Sequence, residues 1–324
     1  MSKTTKIRWV IAHEPLNLFI RAAEDFERRV NAEQSEHKIE VEIMTLTEYS
    51  QRYNDGVVVT KHDLLDLMEA GKIEMSQMYT TWLAEKYVPD FLVYDLPFLF
   101  QDHEHAARVL EGKVGETLLT KLTDKSNVRG LSYTYSGGFR QMISNKAVST
   151  LGELTGTTQR SNRNPVAQAT LTALGIVPHA CEVEDMRDEV VAGNCEGGET
   201  NYPRMYPLRQ NEVTASVIDT EHSLFLTSMI IGDKFWASLS PEVQAVIKKA
   251  AIEAGREERA ETIRDGERAK VRLVQEEGAA IYSLSAEEKA WAVEKTAVVY
   301  EQFRNMFTPG LVDQIKKVFD QRSQ

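Results

Sequence analysis

Apolar and polar residues alternate along this chain with two different periods, and the switches between them mark its elements. Ile7-Arg8-Trp9-Val10-Ile11-Ala12 is a short apolar strand, Pro15 falls in the loop behind it, and Leu16 to Val30 carries Phe19, Ala22, Ala23, Phe26 and Val30 at helical spacing. Ile39 to Met44 alternates apolar with charged residues, as a half-buried strand does. His62 to Ala70 reads as a helix ended by Gly71, and Ile73 to Tyr79 as the next strand. Strands separated by helices require crossover connections, so this part of the chain is expected to form a parallel α/β core with sites at the strand ends.

Further along, Val93 to Leu119 joins a strand-like apolar edge to a helix. Pro97 cannot donate to a ladder and holds Leu96 extended, so Asp95-Leu96-Pro97-Phe98 is expected at a strand end or bend. A new sheet is expected to begin near Arg129-Gly130-Leu131, followed by Gly137 and Gly138, a pair that suits a tight turn or a close backbone approach to a ligand. Ala167 to Leu174 is a helical run. Ser240 is a good N-cap with Pro241 at the first helical position, and the helix they start is expected to continue to Glu277. Glu253, Glu257, Glu258 and Glu261 interleave with Arg256, Arg259 and Arg264 there, a pattern that suggests a solvated face laced with ion pairs.

Composition narrows the classes. At 324 residues the chain exceeds the size at which one core keeps growing, so two lobes are expected. The formal net charge of -11 argues against nucleic acid or an anionic membrane surface as a partner, and no apolar run has the length of a membrane span. The start MSKTTKIRWV lacks the apolar core of a secretory signal, which suits either a cytoplasmic protein or a mature exported one. Cys181 and Cys195 are too few for a disulfide scaffold and lack zinc or redox spacing; they read as small core or loop residues, with a disulfide as the lesser alternative. His103 and His105 fall at a helix start where exposure is expected, and no ligand cluster points to a metal. No nucleophile elbow, phosphate loop or dinucleotide fingerprint is present, and no cofactor is indicated.

The segment DLPFLF at Asp95 to Phe100, followed by a polar break and a helix, resembles the solute-binding proteins of tripartite ATP-independent periplasmic (TRAP) transporters. Gly138-Phe139-Arg140-Gln141 resembles that family's Gly-x-Arg-Gln segment, and Leu151-Gly152-Glu153-Leu154-Thr155-Gly156 its loop before the strand bearing the principal arginine. This register puts the carboxylate-binding arginine at Arg160; the residues around it are polar where the family shows an apolar strand, so either the strand is short and polar or the register moves and Arg163 is the competitor. The run Ala192 to Glu199 stands where the family shows Gly-x-x-Asp-Gly-x-Glu-Asn, with Thr200 and Asn201 in place of the single Asn. Thr220 to Ser223 resembles the return to the first lobe.

The resemblance implies a two-lobed periplasmic-binding-protein-like α/β fold with a hinge, a ligand cleft between lobes and a long spanning C-terminal helix. Residues 1–128 with about 215–250 would form one lobe, 129–214 the other, 241–277 the long helix and 278–324 packing helices. Its implied ligand residues are Arg160 and Arg140, with Glu199, Asn201, His222 and Phe225; His13, Glu14, Tyr79, Trp82 and Phe98 are placed with them after the strands of the first lobe and at the crossing. The implied function is capture of a small organic acid, carboxylate or zwitterion, in the periplasm by cleft closure, for delivery to TRAP membrane subunits. Two alternatives stay open on sequence grounds: an enzyme acting on a small carboxylate with Glu199, His13 or His222 as acid/base, and a cytoplasmic ligand sensor.

Overall fold

The computed structural model describes residues 4–13, 16–33 and 38–320. In chain order the elements are β1 (Thr4–Val10), α1 (Asn17–Ala32), β2 (Lys38–Met44), α2 (Leu46–Tyr53), α3 (Leu64–Glu69), β3 (Met75–Tyr79) and α4 (Thr80–Lys86). They continue with α5 (His103–Glu111), α6 (Lys113–Lys125), β4 (Val128–Phe139), β5 (Gln141–Ser144), β6 (Thr158–Ser161), α7 (Pro165–Ala173), β7 (Val177–Ala180), α8 (Met186–Val191) and β8 (Gly197–Thr200). The last third contains α9 (Tyr202–Met205), β9 (Ser216–Asp219), β10 (Leu224–Gly232), α10 (Asp233–Ala237), α11 (Pro241–Glu276), β11 (Ala280–Ser283), α12 (Ala286–Phe303) and α13 (Leu311–Asp320). The expected α/β class holds, with two lobes and a long helix.

Two compact units divide the chain: residues 1–89, 110–136 and 226–261 make one, and residues 90–109, 137–225 and 262–324 make the other. Residues 241–261 of α11 count with the first unit and its remainder with the second. The first sheet has the order β2-β1-β3-β10-β4; β1 is parallel to β2 and β3, and β10 is antiparallel to β3. The second has the order β11-β9-β5-β8-β6-β7, with β5 antiparallel to β8 and β9 but β6 parallel to β7 and β8. Both sheets are therefore mixed, and the parallel core expected from the alternating pattern is limited to part of each.

The second sheet owes its stability to the two-residue period. Met142 and Ile218 point into a cluster with Leu151, Leu154, Leu171, Leu174 and Ile176, whereas their neighbours Ile143 and Val217 point into another with Met186, Tyr202, Met205 and Leu273. Both faces are covered, and each fully buried aliphatic side chain contributes about 1.5–3 kcal/mol.

Several local expectations give way to packing. The apolar edge before Pro97 is a 3-10 stretch, Pro89–Asp95, rather than a strand. The helix expected from Asp102 to Leu119 is two helices, α5 and α6, with Gly112 as the N-cap of the second. Gly137 and Gly138 lie inside β4 at positive φ instead of forming a separate turn. Residues 280–283, expected to be helical, form the edge strand β11, paired with β9.

Side-chain burial also corrects two readings. His105 is fully buried and its Nε2 lies 2.9 Å from the Ile315 carbonyl, while His103 is half-buried against Phe139, where burial pulls its imidazole pKa down to about 4. On α11, Glu258 and Arg259 are not solvated: Glu258 accepts from the Tyr135 amide at 2.7 Å, and Arg259 donates to the Tyr133 carbonyl at 2.5 Å. The cap of that helix is as expected, with Ser240 Oγ accepting from the Val243 amide at 3.4 Å.

Candidate functional site

The richest group of buried charged side chains in the second unit gathers where β6 and β8 end. Arg160 on β6 pairs in parallel with Gly198 on β8, and the absence of a side chain there is a steric requirement: a Cβ on Gly198 would lie 2.5 Å from the Arg160 Cβ. Asn164-Pro165 then caps and starts α7, with Asn164 Oδ1 accepting from the Val166 amide at 2.8 Å. The chain thus leaves the strand immediately after Arg160. This is the carboxyl end of parallel strands, where open α/β sheets present their ligand groups.

Arg160 is held by the backbone. Its Nε and one terminal nitrogen donate to the Cys181 carbonyl at 3.1 and 3.0 Å, and the other terminal nitrogen donates to the Glu199 carbonyl at 3.2 Å. These bonds use three of the five N–H groups of a guanidinium and fix its plane. Burial lowers the Arg160 pKa, with Glu199 opposing that effect. Arg163, by contrast, is exposed on the surface and pairs with Glu182 at 3.4 Å.

Arg140 stands at the β4–β5 junction. Its amide donates to the Ser223 carbonyl at 2.8 Å, and its own carbonyl accepts from Thr220 Oγ1 at 3.2 Å. One terminal nitrogen lies 3.1 Å from Glu199 Oε1, and the guanidinium carbon sits 4.0 Å from the centre of the Phe225 ring. Its Nε and second terminal nitrogen are buried without a hydrogen-bond partner. A buried charged donor left unpaired carries its full desolvation cost, of order 1–3 kcal/mol or more.

Glu199 connects the group. Its Oε1 also accepts from the Asn162 amide at 3.0 Å and Ser161 Oγ at 3.4 Å, and its Oε2 lies 3.5 Å from His222 Nε2, long for a hydrogen bond. Burial by itself would raise the Glu199 pKa, but Arg140, His222 and Arg160 overrule it and hold the carboxyl far below its usual range. The His222 ring is oriented from its other side, with Nδ1 2.7 Å from Thr220 Oγ1. Asn201 stands at the N-cap position of α9, without a side-chain capping bond, and packs so tightly on Gly137 that a Cβ there would come within 1.8 Å of its Oδ1.

Of the expected residues, Arg140, Arg160, Glu199, Asn201, His222 and Phe225 are all buried in this unit. Phe98 belongs to the same unit but packs in the apolar cluster with Met142 and Leu151, and its amide donates to the His222 carbonyl at 2.7 Å. His13, Tyr79 and Trp82 belong to the first unit, where they join Phe19 in an aromatic group beyond β1 and β3. Tyr79 Oη is 3.1 Å from His13 Nδ1. Glu14 lies outside the described residues. Cys181 and Cys195 are buried free thiols.

The structure adds residues that the sequence did not single out. Arg204 on α9 is buried with its guanidinium carbon 4.8 Å from the Phe225 ring centre, so that ring serves two cations. Asp95, at the end of the 3-10 stretch, is buried within electrostatic reach of Arg140 and Glu199, with the Asn164 side chain next to it. The DLPFLF segment could have flagged Asp95, since a charged residue abutting an apolar run is either capped or paired; Arg204 carries no comparable signal.

The profile of the DctP family, bacterial extracellular solute-binding protein family 7, matches residues 11–306. The chain belongs to this family. A C4-dicarboxylate-binding periplasmic protein of Rhodobacter capsulatus is 26% identical over 217 residues, covering 64% of this chain and 65% of that relative. Among solved structures, a TRAP periplasmic solute-binding protein of Ochrobactrum anthropi, with its C-terminus bound in the ligand-binding pocket, superposes with TM-score 0.86 at 23% identity over 100% of this chain and 97% of that one. Another, from Sulfurospirillum deleyianum with bound succinate, gives TM-score 0.79 at 24% identity, covering 98% and 100%. At such identities these structures establish the fold. Membership in the DctP family places the chain among extracellular binding proteins rather than enzymes, against both the enzyme and the cytoplasmic-sensor alternatives. Among the described residues, no helix is long and apolar enough to cross a membrane.

Proposed function

We propose that this DctP-family protein captures a small organic acid and presents it to the membrane subunits of a TRAP-type transporter, with the carboxylate held by Arg140 and Arg160. The observation that carries this reading is the pair of buried, unpartnered nitrogens on Arg140, next to an Arg160 that keeps two N–H groups beyond its three backbone bonds. A guanidinium presents parallel donors that match the two oxygens of a carboxylate, and charge-assisted bonds of this kind are the strong ones. Glu199 orients Arg140 from one side, Phe225 supports its face, and His222 and Asn201 complete a polar wall. The carboxylates bound by relatives, C4-dicarboxylates and succinate, support the same chemistry.

Thermal denaturation against matched pairs of small acids and their amides tests this. A ligand that binds the folded state alone raises apparent stability by about 2.7 kcal/mol at a hundred times its Kd. Stabilisation by acids and not by their amides is expected. Equal stabilisation by both, or stabilisation only by amines or neutral sugars, would overturn the carboxylate reading.

A further inference from the structure

We propose that Asp95 is the proton partner of the bound solute: the buried cluster takes up an anionic carboxylate together with one proton, which Asp95 holds. The inference rests on the carboxylate reading above and adds a residue and a stoichiometry to it. Asp95, Arg140 and Glu199 are all buried within the second unit, with 4%, 2% and 0% of their surfaces exposed. Glu199 is the carboxylate that pairs with Arg140; among the described residues no ion pair joins Asp95 to that arginine. Asp95 Oδ2 is buried without a hydrogen-bond partner, as are Arg140 Nε and its second terminal nitrogen.

This arrangement leaves a second carboxyl near Arg140 that is not its counter-ion. An ionised carboxylate needs donors in a buried setting, and a neutral carboxylic acid avoids most of that cost while gaining an O–H to donate. The charged groups whose fields reach Asp95 are Arg140 from the β4–β5 junction and Glu199 from β8, with the Asn164 amide of the α7 cap beside it; His222 meets Glu199. Burial raises the Asp95 pKa to about 7, Glu199 adds to the rise, and Arg140 and Asn164 oppose it. A solute carboxylate on the free nitrogens of Arg140 would add one more negative charge and engage the arginine's field, driving Asp95 further towards its protonated form. Conversely, ionised Asp95 competes with the solute for the same cation. Affinity should therefore fall as pH rises through neutrality.

The test is calorimetric titration of the full chain with succinate, fumarate and D-glucuronate at pH 6.5, 7.5 and 8.5, in buffers of different ionisation enthalpy. If only the form protonated at Asp95 binds, a group titrating at about 7 predicts a roughly 25-fold rise in Kd from pH 6.5 to pH 8.5, with close to one proton taken up per solute at pH 8.5. Asp95→Asn, which mimics the neutral acid, should abolish proton uptake and flatten the profile. His222→Gln should keep both the slope and the uptake, which separates Asp95 from the imidazole that meets Glu199. A pH-independent wild type, or proton uptake that persists in Asp95→Asn, overturns the proposal. Binding of none of the three acids at any pH overturns the carboxylate reading instead. In that case an infrared titration of the free protein still judges Asp95, through its carbonyl band: a neutral acid absent at pH 6 in wild type would overturn its proton-holding role.

Discussion

His13, Tyr79 and Trp82 of the first unit and Arg140, Arg160 and Glu199 of the second were all expected from the sequence to be ligand residues, yet the groups they join are physically unlike. His13, Phe19, Tyr79 and Trp82 touch through ring contacts with centroids 5.2–6.4 Å apart, and the Tyr79 hydroxyl has His13 as its partner. Such a group needs no ligand to account for it, since aromatic pairs add about 0.5–1.5 kcal/mol beyond the area they bury. The second unit instead buries Arg140, Arg160, Arg204, Glu199 and Asp95 with donors left over. Replacing buried ion pairs by apolar side chains is often neutral or stabilising, so fold stability alone does not account for this group. The difference teaches that burial alone does not single out a candidate binding residue; burial that leaves donors without partners does.

The strongest way to break the contrast is to remove its central anion. Glu199→Ala leaves the buried Arg140 without its carboxylate partner and should cost about 3–5 kcal/mol of folding stability, read from chemical denaturation. A loss below about 1 kcal/mol would mean that the cluster is more hydrated than its burial indicates. Next is Arg160→Lys, which replaces a fixed fork by a single ammonium. Losing one side of a desolvated charge pair costs about 2–5 kcal/mol, equivalent to tenfold to several thousandfold weaker binding of the solute by calorimetry. Near-normal affinity in this variant would move the clamp to Arg140 alone.

Smaller effects sharpen the other side of the comparison. Tyr79→Phe deletes the hydroxyl that meets His13 and should cost about 0.5–1.5 kcal/mol of stability, one ordinary hydrogen bond, in a thermal melt. Arg163→Lys should change neither stability nor affinity by more than about 0.5 kcal/mol, because its partner Glu182 is met on the exposed surface. A severe binding loss at Arg163 with little change at Arg160 would show that the register read from LGELTG is displaced.

How much of this was legible beforehand depended on the range of the cause. The capped long helix, the strand–helix alternation and the Gly-x-Arg-Gln segment are local patterns, and Ser240, Pro241, Phe19, Phe26 and Arg140 could be read from their neighbours. Even the short polar strand around Arg160 was visible, as a departure from an apolar pattern. The fates of His103, His105, Glu258 and Arg259 were not legible, because a charged helix repeat specifies a helix but leaves open what covers each face. For His105 the deciding partner is Ile315, 210 residues away, and for Glu258 it is the Tyr135 amide, 123 residues away.

By itself, then, the sequence determined the first strands and helices and the capped long helix, which follow from periodicity and capping, while chain length gave the expectation of two lobes and the family resemblance gave the arginine register to test. Tertiary structure alone decided that Arg140 keeps unpaired nitrogens while Arg160 is tied to backbone carbonyls, that Arg204 and Asp95 join them, and that Phe98 packs into an apolar cluster. Desolvation and hydrogen-bond satisfaction are properties of the assembled surroundings, and residues distant in the chain supply them.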